Sequence, residues 1–351
     1  MKHEPLVMFG RNAQILSSGR YIPARRIDNA YFDARFEKPV SDWLVQNVGI
    51  ESRHVMAHDE VTSDLVVHAA KQALERADVS ATDLDLIIVA TDTPDYLSPS
   101  TASVVQHKLG APNAGVFDVN AACAGWVSAL DIAARYIATD TDINRVLVCG
   151  GYGMTRYLDW DDKKTATLFA DGAGAVVVGA TQEPGYLGGK LEADGQFHDA
   201  LGIYTGGTAR PATATNVAQS GPPTVRFVRK FPATFNADRW PTLIADTLAK
   251  SGSAVEDVSL FIFTQLNART IETVMDRLHV PMDRTHMVMD KWGYLGSACI
   301  PAAFDDAIAK TPLDDDALVV FCATGGGLSM GCTAWRWNTA PTVLPVTKRR
   351  I

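Results

Sequence analysis

Residues 74–92, LERADVSATDLDLIIVATD, lie without a gap over residues 248–266, LAKSGSAVEDVSLFIFTQL, with a helix end, a polar link and a short apolar run in the same order. The echo continues with HKLGAP in one half and DRLHVP in the other, then a strand-like run, then small residues: NAACAGW against GYLGSAC. A repeat of this kind restricts the fold strongly, because each copy is a unit that needs a neighbour to bury its apolar face. Two readings stand at this point: chance similarity between two ordinary α/β units, or a duplicated fold whose halves meet at a shared cleft.

The elements around the repeat favour a layered α/β architecture. VTSDLVVHAAKQALERA (61–77) has the apolar spacing of an amphipathic helix, and LDLIIVATD after it reads as a buried strand. STASVVQHKLGAP is helical in pattern and GVFDVNA strand-like; NRVLVCGG and GAGAVVVGA add buried-strand candidates bounded by glycine. Helices alternating with strands imply stacked layers. We divide the chain into residues 1–184, residues 185–337 and a tail, NTAPTVLPVTKRRI, at 338–351. The stretch from about Gly185 to Pro232, rich in glycine, threonine and proline, reads as loops.

Composition narrows the function classes. A net charge of −8 argues against a general nucleic-acid binder. The N-terminus has no apolar signal-like core, and no apolar run reaches the roughly 18 residues a membrane helix needs, so a cytoplasmic protein is expected. The five cysteines, Cys123, Cys149, Cys299, Cys322 and Cys332, are odd in number and widely spaced, unlike a disulfide framework or a zinc site. Reduced thiols and no resident metal are expected.

Cys123 stands apart, in FDVNAACAGWVSAL, where a strand-like run gives way to a helical pattern. A helix N-terminus carries partial positive charge that favours thiolate, so a lowered pKa is expected there. Flanking alanine and glycine let substrate and backbone approach closely. Taken alone, the segment serves a nucleophile and a small core residue equally well. CATGGGLSMG, from Cys322, is a second signal, because consecutive glycines after a strand can present N–H groups to a developing oxyanion.

Together ILSSGRYIP, DWLVQNVGIESRH, PSTA, DVNAACAGW, LFADGAGA, TQLNAR, GYLGSACIP and TGGGLSMG resemble, in order from about Ile15 to Trp337, β-ketoacyl-[acyl-carrier-protein] synthase III and its relatives in the thiolase superfamily. The resemblance implies a thiolase fold, a duplicated five-layered αβαβα architecture, in a homodimer. It implies that Cys123 accepts an acyl group from coenzyme A or acyl carrier protein, both substrates rather than cofactors. It further implies an oxyanion hole from the N–H groups of Cys123 and Gly326. Trp43 and Arg156 match positions that sandwich the adenine of coenzyme A, Asn267 joins the substrate-binding set, and Arg269 matches a basic residue for carrier docking.

The pattern breaks at three positions. Condensing members read HQAN where this chain has TQLN, and GN where it has GY, so Thr264 and Tyr294 stand in place of histidine and asparagine. Those two side chains polarise a malonyl thioester as it loses carbon dioxide. Losing one oxyanion donor costs about 2.7 to 4 kcal/mol, a factor of roughly 10² to 10³. Threonine and tyrosine hydroxyls can hold an oxyanion but serve poorly as proton shuttles near neutral pH. Asn47 stands where an arginine near the coenzyme A entrance is usual. Neither His286, in the strand-like THMVMDKWG, nor His198, in DGQFHDALG, falls at a catalytic position of the family.

The expectation is therefore an acyltransferase with Cys123, Thr264, Tyr294 and Gly326 at its centre, serving a specialised polyketide, fatty-acid-derived or signalling-molecule pathway. Genuine decarboxylative synthase III activity is the first alternative, and a silent acyl-binding or partner subunit the second.

Overall fold

The computed structural model describes residues 10–345. Its first sheet contains β1 (Asn12–Tyr21), β2 (Leu86–Ala90), β3 (Gly115–Val119), β4 (Arg145–Gly153) and β5 (Asp171–Thr181), in the spatial order β1-β5-β4-β2-β3. β2 runs parallel to β3 and β4, while β5 is antiparallel to β4 and β1. The second sheet contains β6 (Tyr186–Ala193), β7 (Val258–Phe263), β8 (Leu318–Thr324) and β9 (Ser329–Arg336), in the order β7-β8-β9-β6. Here β7 and β8 are parallel, and β9 is antiparallel to both its neighbours. A single parallel bridge between Phe261 and Thr285 marks the place β3 holds in the first sheet.

Six helices complete five layers: α1 (Thr62–Ala77), α2 (Thr101–Leu109), α3 (Gly125–Thr139), α4 (Phe235–Leu248), α5 (Ala268–Arg277) and α6 (Cys299–Lys310). α1 and α2 cover the outer face of the first sheet, α4 the outer face of the second, with α5 beside it. α3 and α6 fill the middle layer: α3 touches strands of both sheets, and α6 packs on β1 and β5 of one and β7 of the other. Burial follows placement. From Gly125 to Asp131 every residue of α3 is buried, as expected of a helix apolar all round, and all of β2, LIIVA, is buried as in parallel strands covered on both faces.

The two halves match residue for residue where the repeat places them. Asp78 (φ +52°) and Gly252 (φ +69°) turn the chain in the left-handed region after the helix. The 3-10 turns Ala81–Asp83 and Val255–Asp257 follow, then β2 and β7. Gly110 (φ +68°) and His279 (φ +58°) close α2 and α5 in the same way.

Three expectations need correction. The stretch read as loops contains β6, a full member of the second sheet, together with a hairpin of Leu201–Ile203 with Val225–Phe227 and the helix Ala214–Ser220. The glycines that disguised β6 are there for packing: a Cβ on Gly189 would collide with the Asp131 carboxylate of α3 and lie 2.9 Å from the Tyr186 hydroxyl. THMVMDKWG, read as strand-like, pairs only at the Thr285 bridge and then forms the helical turn Met289–Trp292. The buried Gln265 side chain donates to His286 O (3.1 Å) and accepts from Val288 N (2.9 Å), so a side chain satisfies backbone groups that a longer ladder would use. The first part of the tail is docked: Val343 bridges Thr181, Leu344 N–H donates to Ala180 O at 2.8 Å, and Arg145 donates to Leu344 O at 3.0 Å. Residues 346–351 lie outside the described residues.

Candidate active site

The carboxyl ends of β2, β3, β7 and β8 are where open α/β sheets place their sites. β3 leads through Asn120 and Ala121 into a tight turn. Ala122 takes φ +46°, a left-handed conformation costly for a residue with a Cβ, and Ala122 N–H donates to Asn120 Oδ1 at 3.1 Å. Cys123 follows, buried, immediately before α3. Gly125 holds the turn against the first sheet: a Cβ there would lie 3.4 Å from Ala90 Cβ and 3.5 Å from Val119 O.

The glycine loop after β8 presses on this turn. A Cβ on Gly325 would collide with Ala121 O and come within 2.8 Å of Cys123 N and 2.9 Å of Ala124 N, so only glycine fits. Gly325 N–H donates to Ser329 O at 2.8 Å, which fixes the loop to the start of β9. Gly326 is next in the chain, 3.6 Å from Ala122 Cβ by the position its own Cβ would take. The turn and the loop therefore meet.

The electrostatics of Cys123 correct the expected low pKa. Burial, above all, pushes the thiol well above its usual range, and the neighbouring Asp92 and Cys299 add to the effect. A hydrogen bond from the Tyr294 hydroxyl works the other way. A sulfur sealed from water loses more hydration than a helix terminus returns, so the resting state is thiol.

Tyr294 reaches Cys123 from the segment before α6. Its N–H donates to Leu168 O at 2.9 Å and its carbonyl accepts from Ala170 N at 3.0 Å, an isolated bridge that fixes the backbone. The ring is buried among aromatics, 5.7 Å from the centroid of Phe169 and 6.4 Å from that of Tyr152. Gly293 before it needs φ +75°, with Arg53 Cβ 2.7 Å from where its own would be. Thr264, by contrast, is bound into the sheet edge. Its hydroxyl accepts from Thr324 N at 3.0 Å and points its proton at Thr324 O, 3.5 Å away, while Trp240 Nε1 donates to Thr324 Oγ1 at 2.8 Å.

The substrate-binding candidates lie around the helix Ser41–Asn47 and the start of α5. Trp43 is 60 % exposed on that helix. Asn267 caps α5, accepting from Thr270 N at 3.1 Å, and donates to Asn47 O at 3.2 Å, which ties the two together. Arg269 is exposed in the first turn of α5. Arg156 is anchored elsewhere, donating to the carbonyls of Ala57 (2.8 Å), His58 (2.6 Å) and Glu60 (3.0 Å). His286 is held by Asp306 (2.8 Å), which also pairs with Lys291 and Lys310, and His198 is exposed. Among the described residues, no group of three or more His, Cys, Asp or Glu side chains is placed to hold a metal ion.

Sequence reasoning passed over Asp92. It follows β2 by two residues, Oδ1 is sealed from solvent without a hydrogen-bond partner, and burial lifts its carboxyl to about 6. The signal was visible as one acidic residue closing LIIVAT.

A cysteine on a strained turn between a parallel strand and a central helix, with a glycine loop pressed on it and two duplicated halves around it, defines a thiolase-fold protein. The comparisons carry this to a family. The N-terminal model of 3-oxoacyl-[acyl-carrier-protein] synthase III matches residues 117–195, and the C-terminal model matches residues 248–337. A β-ketoacyl-[acyl-carrier-protein] synthase III of Syntrophomonas wolfei is 38% identical over 93% of this chain and 97% of its own. The synthase III of Thermus thermophilus superposes with a TM-score of 0.85 at 32% identity, covering 93% of this chain and 100% of that one. The priming β-ketosynthase of the R1128 polyketide pathway superposes at 0.86 with 29% identity, covering 93% and 97%. The chain belongs to the 3-oxoacyl-[acyl-carrier-protein] synthase III family. Among the described residues no helix is long and apolar enough to cross a membrane.

Proposed function

We propose that this chain moves an acyl group from a coenzyme A or carrier-protein thioester onto Cys123 and passes it to an acceptor that needs no malonyl decarboxylation. The observation that carries this reading is how the two hydroxyls opposite the cysteine are used. Thr264 is bound to the Thr324 backbone, and the Tyr294 ring is packed against Phe169 and Tyr152 with its hydroxyl acting on Cys123, so neither side chain is set as a donor toward a malonyl carbonyl. Acylation itself asks chiefly for a nucleophile and an oxyanion hole, and Cys123 with Cys123 N–H and Gly326 N–H are the groups for it. An amine, a hydroxyl or an already acidic carbon then suffices as acceptor, as in the specialised assembly of polyketides or signalling molecules; the priming ketosynthase of a polyketide pathway is one relative. In this reading Trp43, Asn267 and Arg269 border the donor's approach, while Arg156 orders the loop at Ala57–Glu60.

Incubation with a panel of acyl-CoA and acyl-carrier donors, followed by intact-protein mass measurement, tests this. One donor class adds a single acyl mass, and Cys123→Ala abolishes the label. Equal labelling of Cys123→Ala sinks the reading. Carbon dioxide release from malonyl-carrier at a rate matching acyl turnover would support decarboxylative condensation instead.

A homodimer is part of the same proposal. Among the described residues β3 pairs only with β2, its residues are half exposed, and Tyr96 and Leu97 stand out at 59 % and 86 % exposure on the loop after β2. An unpaired edge beside exposed apolar side chains invites a second copy. Sedimentation equilibrium should return twice the 37.8 kDa chain mass; a monomer at micromolar concentration would count against the dimer.

A further inference from the structure

A buried thiol that must attack a thioester has to lose its proton, and the groups around Cys123 divide sharply on who can take it. Tyr294 is a buried hydroxyl that burial keeps protonated, Thr264 directs its proton to Thr324 O, His286 is held by Asp306, and His198 is exposed. Asp92 differs from all of them. β2 delivers it to the carboxyl end of the sheet between β3, which leads into the Cys123 turn, and β4. Thr91 N–H donates to Val119 O at 3.1 Å, and Gly153 N–H donates to Thr93 Oγ1 at 2.8 Å, so the residues either side of Asp92 are stitched to both neighbouring strands. Gly125, two residues past the cysteine, packs on Ala90, two residues before Asp92. Within that frame Oδ1 is sealed and has no partner. A buried carboxylate oxygen left unpaired is costly, and such groups call for an explanation.

We propose that Asp92 is the proton acceptor for Cys123, taking the thiol proton as sulfur attacks the donor thioester and returning it to the departing thiol. The inference rests on Cys123 being the acylated nucleophile. As the sulfur lone pair forms the new C–S bond, the carbonyl π pair moves onto oxygen and the S–H proton passes to the Asp92 carboxylate. Collapse of the tetrahedral species breaks the donor's C–S bond, and the leaving thiolate recovers that proton. In the second half the acceptor's N–H, O–H or C–H proton follows the same route, and Cys123 leaves as thiolate to be reprotonated.

The charge environment is consistent with this traffic. The Asp92 charge acts on Cys123 at the turn, on Tyr152 of β4 and on Tyr157 just beyond it, while Asp95 lies on its own loop and acts on Tyr157. Burial sets the Asp92 carboxyl near 6 and holds the thiol far higher, so at neutral pH one proton rests between them, on sulfur. General-base assistance of this kind contributes roughly 10²- to 10⁴-fold.

The test compares wild type with Asp92→Asn over pH 5–9, following both acyl transfer from a labelling donor and alkylation of Cys123 by iodoacetamide, which needs the same proton removed but no acyl donor. Wild type should rise through about pH 6 and then level off. Asp92→Asn should fall at least 100-fold at pH 7 in acyl transfer, with both rates climbing about tenfold per pH unit as free thiolate alone reacts. Its melting temperature should not drop, because an unpaired buried carboxylate has been replaced by a neutral isostere, whereas a purely structural Asp92 would lower it. An alkylation profile unchanged by Asp92→Asn, or an effect on KM alone, overturns the proposal. Should no donor label the wild-type protein, the acyl-transfer reading falls while the alkylation profiles still decide the role of Asp92.

Discussion

Gly325→Ala lowers the rate of Cys123 acylation about 100-fold or more while the protein stays folded. The added methyl meets Ala121 O, Cys123 N and Ala124 N, all backbone atoms of the strained turn, none of which can swing aside as a side-chain tip would. The glycine loop must back away, and Gly326 N–H goes with it. Loss of one aligned oxyanion donor accounts for roughly a 10²- to 10³-fold loss of rate. Alkylation of Cys123 by iodoacetamide builds no oxyanion and should change far less; equal losses in the two assays would show that the turn, not the hole, was damaged. Gly327→Ala is the matched control. Gly327 has φ +73° but open space around its Cβ position, so the substitution costs about 1 kcal/mol of backbone strain and leaves acylation within a few-fold.

The contrast between those two glycines shows what a sequence conceals. TGGGLSMG announces a turn, yet which glycine is required by a neighbour and which by its own φ depends on the Ala121–Ala124 backbone two hundred residues earlier in the chain. The repeat was legible because it is local. A helix end, a left-handed residue, a 3-10 turn and a buried strand recur at Asp78–Ala90 and Gly252–Phe263, each written by its own few residues. β6 was not legible, since Gly188 and Gly189 read as loop until Gly189 is seen against Asp131 of α3 and Gly188 against Lys250 beyond α4. Cys123 could be placed at a turn from its flanks, but its raised pKa comes chiefly from burial, with Asp92 and Cys299 adding to it and Tyr294 opposing it, all set by two other segments of the chain. Asp92 escaped notice for the same reason: beside an exposed loop it is ordinary, and only the sealed oxygen gives it meaning.

Tyr294 separates the two terms that this site combines, packing and proton control, and two substitutions take them apart. Tyr294→Phe keeps the ring between Phe169 and Tyr152 and removes only the hydroxyl that donates to Cys123. Because that hydrogen bond favours the thiolate, its loss raises the thiol pKa further. At pH 8 alkylation should then slow by roughly 10-fold or more, as expected for a hydrogen bond to a charged group worth about 1.5 to 3 kcal/mol, and in the Asp92→Asn background, where free thiolate alone reacts, the whole profile should move to higher pH. A shift to lower pH would mean that the hydroxyl accepts from the thiol rather than donating to it. Tyr294→Asn, which restores the residue expected of a malonyl-condensing site, has a different cost. It empties a fully buried ring site walled by aromatics, and large-to-small changes of that size destabilise by about 3 to 5 kcal/mol. Paired with Thr264→His it also takes away the hydroxyl that accepts from Thr324 N and holds the end of β7 to β8. The double variant should therefore melt well below wild type and show little malonyl decarboxylation, because the aromatic packing at Tyr294 and the sheet-edge bond at Thr264 have become part of the fold. A stable double variant that releases carbon dioxide rapidly would show instead that the condensing machinery is otherwise complete and that these two side chains alone hold it in check.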